Sequence, residues 1–232
     1  MQKSAKLIID ILIVIAVTIL SFALEELAVN QGWITLGDEA RGVSSVLGGA
    51  LAAVGVVLAR GGTLADLGFK QPANWNKVPF QVIAILVAFL TAQAIAPLLV
   101  SSFTTLPEPD MSRYDAITGN VGAAIAMALI LPLTASIPEE LIYRGFLMGR
   151  LSEIFGRSTR GSVMTVLVQA LFFGSVHFMW GIGGIIVTII MGIVWGTAYL
   201  LCGRNLWVVI LAHSTGHIVF AIQLYFGMSI IV

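Results

Sequence analysis

Long apolar runs separated by short polar connections make up this chain. A helix needs ~20 mostly apolar residues to cross the hydrocarbon core of a bilayer. Runs of that kind lie at residues 7–27, 43–59, 80–103, 119–137, 162–179, 185–202 and 206–226. A further helical stretch, 139–155, carries Glu139, Glu140 and Arg144. Pro132 and Pro138 stand just before it, and proline removes a helical hydrogen bond and can kink or break a helix. The pattern predicts an all-α fold, a polytopic transmembrane helix bundle of seven to eight membrane helices. The number depends on whether 119–155 is one long bent helix or two. The first run, preceded by Lys3 and Lys6, has no small-residue cleavage site after it and reads as a retained span. Residues 60–79, rich in Gly, Pro and Asn, read as an irregular connection with one helical turn. Gly192 and Gly196 form a G-x-x-x-G pair suited to close helix packing.

Composition agrees with this pattern. The chain is 58% hydrophobic and 10% charged, where a soluble domain carries roughly 25% charged residues. Net charge is zero, which gives no reason to expect a nucleic-acid partner; the bilayer is the expected surrounding. The single cysteine, Cys202, excludes an internal disulfide. Loop charge sets an orientation. Basic loops (Lys3 and Lys6; Arg60, Lys70 and Lys77 against Asp66; Arg150, Arg157 and Arg160) alternate with acidic ones (Asp38 and Glu39 against Arg41; Glu108, Asp110 and Asp115 against Arg113). The positive-inside rule then puts the N-terminus and the 60–79 and 150–161 loops in the cytoplasm, and favours one crossing for 119–149.

Ionisable residues within spans are costly and are functional-site candidates by default. The candidates are Glu139, Glu140 and Arg144, with His177, His213 and His217, which are all the histidines in the chain. Residues four apart on a helix share a face. Arg144 therefore aligns with Glu140 as a self-neutralising pair, in the favourable order of acid before base. Glu139 points elsewhere and has no cation on its own helix, which suits a general acid or base. The alternative is that all three form one helix-packing ion network. His213 and His217 also share a face, and two histidines at that spacing can ligate one metal. Phe173 lies one turn before His177, either as a wall beside the imidazole or as plain core. Ser175 and His177 are two apart and do not form a serine–histidine pair. No H-E-x-x-H occurs. Asp38 and Asp115 lie in polar loops, which argues against an aspartyl protease. Glu25 and Glu26 imitate the later pair but lack an arginine four residues on, and read as interfacial.

In chain order the motifs are E-E-x-x-x-R, then F-x-x-x-H, then H-x-x-x-H. The first two and the leading histidine of the third resemble the CPBP family, the CAAX proteases and bacteriocin-processing enzymes, also called Abi. EELIYRGFL and NLWVVILAH resemble that family's wording, over roughly residues 119–222. The resemblance divides the chain into N-terminal spans and a cytoplasmic loop (1–118) and a catalytic helical core (119–232). It implies an intramembrane endopeptidase of a prokaryotic inner membrane, acting on a peptide or protein substrate at the membrane. Glu139 and His177 would activate a water, and His213 and His217 would steady the oxyanion or bind metal. Glu140 and Arg144 would hold the helix in register. The family usually has asparagine where this chain has His217; a second histidine there is compatible with zinc held by Glu139, His177, His213 and His217, or with altered or lost activity. Processing of a small secreted peptide or self-immunity to a bacteriocin is the role so implied. Two rivals are a non-proteolytic adaptor on the same fold and a proton-coupled transporter.

Overall fold

The computed structural model describes residues 2–37, 40–101 and 111–228. Asp38, Glu39, Glu108 and Asp110, half of the predicted charge alternation, lie outside the described residues. Among the described residues the chain is helical, with no strand. Helices α1 (Gln2–Asn30), α2 (Val43–Ala59) and α3 (Val78–Ser101) form the N-terminal half. A continuous helical rod then runs from Val121 to Phe155. It joins α4 (Val121–Leu131), α5 (Ile137–Glu140) and α6 (Met148–Phe155) through π-helical stretches at Pro132–Ser136 and Leu141–Leu147. Helices α7 (Thr159–Ser175), α8 (Gly181–Leu201) and α9 (Leu206–Tyr225) complete the bundle.

Five of these helical rods are long and apolar enough to cross a membrane, and α2 is a shorter apolar helix. Their outward faces carry Ile8, Leu12, Leu51, Phe80, Leu98 and Leu129, all exposed. Such a surface is stable only against lipid. The two prolines do not break the 121–155 rod, so its residues make one helix rather than two. Pro138 has no N–H for the carbonyl four residues back, and the helix widens locally into π geometry.

The closest packing joins α7 and α8. A Cβ on Gly192 would meet the Ala170 backbone at 2.9 Å, so glycine is required at that crossing. Fully buried Gln169 donates across the same seam to the Gly192 carbonyl at 2.7 Å. The 60–79 connection forms two short 3₁₀ turns, Leu64–Leu67 and Trp75–Lys77, rather than one. It is also docked onto the bundle. Leu67 is buried, and a Cβ on Gly145 would lie 2.6 Å from its carbonyl oxygen. Leu206 N–H donates to the Gly68 carbonyl, and the Asn205 amide to that of Lys70. Asp66 accepts from the Thr63 backbone N–H and hydroxyl, which holds its carboxyl below the usual carboxylate range.

One buried charge was not singled out from the sequence. Asp10, near the start of α1's apolar run, is 2% exposed and meets Arg60 at 2.8 Å and Arg150 at 3.2 Å. This ion cluster fastens α1 to the end of α2 and to α6. Two guanidiniums on one carboxylate make its burial tolerable.

Candidate active site

The rod from Val121 to Phe155 supplies the acids. Glu140 and Arg144 are both fully buried and paired at 2.9 Å, as their spacing predicted. The pair is not self-contained. The same Glu140 Oε1 accepts from His213 Nδ1 at 2.8 Å. Glu140 therefore braces its own helix through Arg144 and orients an imidazole on α9. The Arg144 guanidinium lies 4.7 Å from the Phe173 ring centre, a cation–π contact that offsets part of its burial.

Glu139 faces a different way, as its one-residue offset requires. It lines a cavity of about 570 Å³, together with His177, His213 and His217. Its Oε2 lies 3.9 Å from His213 Nε2. That gap is too long for a direct hydrogen bond, and a water on the cavity side could touch both groups. The rest of the wall is largely apolar, with Ile11, Val14 and Phe22 from α1 and Phe89 from α3.

His177 is not inside a span as expected. Helix α7 ends at Ser175, and His177 sits in the connection before α8, which starts at Gly181 with φ 72°. The break between α7 and α8 puts this imidazole on the wall of the same cavity as Glu139. Its Nδ1 lies 2.6 Å from the Phe173 carbonyl, and its ring packs 4.8 Å from Phe173 and 4.8 Å from Trp180. Phe173 is thus both a wall and a support. Ser175 bonds to the Phe172 carbonyl.

His213 and His217 do share a face, with ring centres 4.6 Å apart. Trp195 stacks on His213 at 4.9 Å, with planes 25° apart. His217 Nδ1 lies 2.8 Å from Ser136 Oγ. Ser136, fully buried at the end of the first π stretch, was missed in the sequence. The available signal was a hydroxyl set between two prolines in an apolar run, three residues before Glu139. Trp195 gave no signal.

Each imidazole thus has Nδ1 engaged by a second group, the arrangement that orients histidine ligands in metal sites. Convergence is lacking, however. Among the described residues no group of three or more His, Cys, Asp or Glu side chains could hold a metal ion. The zinc set inferred from the resemblance is not assembled in this arrangement.

The match to a known family falls on this half of the chain. Residues 121–219 match the family model of the type II CAAX prenyl endopeptidase Rce1-like proteins. The resemblance carried by the motifs is shown for that region. It contains every candidate site residue from Glu139 to His217, and the N-terminal helices lie outside it. The uncharacterized protein YyaK of Bacillus subtilis (strain 168) is 30% identical over 105 residues. That alignment covers 45% of this chain and 31% of YyaK, so the chain matches about a third of that relative's length. No solved structure matches.

Proposed function

We propose that this chain is an intramembrane endopeptidase whose nucleophile is a water activated by Glu139. The observation that carries this reading is the 3.9 Å gap between Glu139 Oε2 and His213 Nε2 on the wall of a mainly apolar cavity. The Rce1-like match over residues 121–219 supports peptidase chemistry at family level. Glu140 accepts the Nδ1 proton of His213, which leaves Nε2 as an acceptor. A water on the cavity side of the two groups would then direct its hydrogens toward Glu139 and His213 and its lone pair toward a bound peptide. Glu139 takes a proton as the water oxygen attacks the scissile carbonyl, and returns it to the leaving amine. Donors on the cavity wall meet the developing oxyanion. No step runs through a metal.

The cavity volume and apolar walls suit a short apolar peptide segment presented from the bilayer. The same reading puts the protein in a prokaryotic inner membrane with a cytoplasmic N-terminus. Peptide processing or bacteriocin immunity is the role it fits. The test is cleavage of membrane-anchored reporter peptides by purified wild type and Glu139→Ala, each with and without chelator. Glu139-dependent cleavage supports the reading. A Glu139→Ala protein that is folded, abundant and biologically effective would favour an adaptor, and substrate flux across proteoliposomes without product would favour a transporter. Zinc held by Glu139, His177, His213 and His217 would need these side chains to draw closer together than they stand here, and undetectable zinc by elemental analysis of the purified wild type would remove it.

A further inference from the structure

The three imidazoles on the cavity wall differ in what holds their Nδ1 atoms. His177 faces the Phe173 carbonyl, and His213 faces a Glu140 oxygen already bonded to Arg144. A carbonyl and an ion-paired carboxylate only accept. Both imidazoles, when neutral, therefore carry their proton on Nδ1 and offer a bare Nε2. Neither can donate to a developing oxyanion from that nitrogen.

His217 faces a hydroxyl instead. Ser136 Oγ can donate as well as accept, and among the described residues His217 Nδ1 is its hydrogen-bond partner. Ser136 is fully buried. If it only accepted, its own hydrogen would be left unsatisfied away from water, which is unfavourable. Donation from Ser136 to Nδ1 satisfies it and leaves the proton of neutral His217 on Nε2. The π stretch Pro132–Ser136 aims the hydroxyl across to α9.

We propose that Ser136 is a positioning residue that keeps the His217 proton on Nε2 and holds that N–H at the cavity, where it serves as an oxyanion donor. This rests on the peptidase reading above. It also accounts for a histidine where asparagine is usual in the resembling family, since both side chains can offer a neutral N–H.

The test is ¹⁵N-histidine NMR of the full-length protein in detergent, with His217 assigned by its loss in His217→Asn. The expected result is a proton on Nε2 of His217 and on Nδ1 of His177 and His213. Ser136→Ala is expected to lower kcat about tenfold. Ser136→Thr, which keeps the hydroxyl, should restore most of it. In a His217→Asn background Ser136→Ala should add no further loss. A proton on His217 Nδ1, or an equal Ser136→Ala loss in both backgrounds, overturns the proposal. A wild type that cleaves no peptide but shows the expected tautomers overturns the peptidase reading and leaves the Ser136–His217 assignment standing.

Discussion

The chain contains two Glu-Glu-Leu triplets, at residues 25–27 and 139–141. Glu25 is 6% exposed, yet its carboxylate is saturated by protein groups. It accepts from the Gly42 N–H at 2.5 Å and the Ser44 N–H at 3.0 Å, closing the start of α2 from outside that helix. Glu26 meets Arg41 at 3.2 Å. In the later pair Glu140 is engaged through Oε1 alone, its buried Oε2 having no hydrogen-bond partner among the described residues. Glu140 is bound by Arg144 and His213, while Glu139 is left at the cavity wall with an imidazole nitrogen 3.9 Å off. Burial alone therefore does not mark the chemical residue. The distinguishing feature is a buried acid that faces a cavity instead of a saturating set of protein groups.

That contrast can be broken one carboxylate at a time. The largest effect is expected at Glu139. Glu139→Gln should lower peptide cleavage about 10²–10⁴-fold, with the thermal unfolding midpoint nearly unchanged. Equal losses of activity and stability would make it another structural acid. Glu140→Ala should destabilise the protein by about 3–5 kcal/mol, because it strands a buried guanidinium, and the unfolding midpoint in detergent should fall accordingly. Activity should fall as well, since His213 loses its anchor. Glu25→Ala should cost about 0.5–2 kcal/mol, the loss of a helix cap, while any surviving folded protein keeps its kcat. Glu26→Gln removes a partly exposed ion pair and should cost less than about 1 kcal/mol by the same measurement.

Much of the bundle was legible because lipid imposes a simple rule on length and polarity. The apolar runs located the helices to within a few residues at most ends, although α2 and α7 are shorter than a span, and the four-residue spacing identified the Glu140–Arg144 and His213–His217 faces. What sequence could not supply was contact across helices. The His213–Glu140 bond joins residues 73 apart, and no periodicity links them. The Ser136–His217 bond spans 81 positions and depends on a π stretch, whose altered register a 3.6-residue pattern does not anticipate. His177 was misassigned because VHFMW is apolar enough to continue a span, although the chain turns there to enter α8 at Gly181. Asp10 was overlooked because a lone acid in a first span is easily taken as incidental; its partners lie 50 and 140 residues away.

Those separations bear on how the protein is made. Helix α1 emerges from the ribosome first, with an acidic side chain near the start of its apolar run and neither of its two guanidinium partners yet made. Arg60 arrives with the end of the second helix, and Arg150 only after nearly two-thirds of the chain has been synthesised. Until then α1 lacks at least one of the two ion pairs that fasten it to the end of α2 and to α6. The last contact that holds the first helix should therefore form only when the site-bearing rod delivers Arg150. A chain truncated before that residue would leave its first helix the most easily extracted part of the molecule.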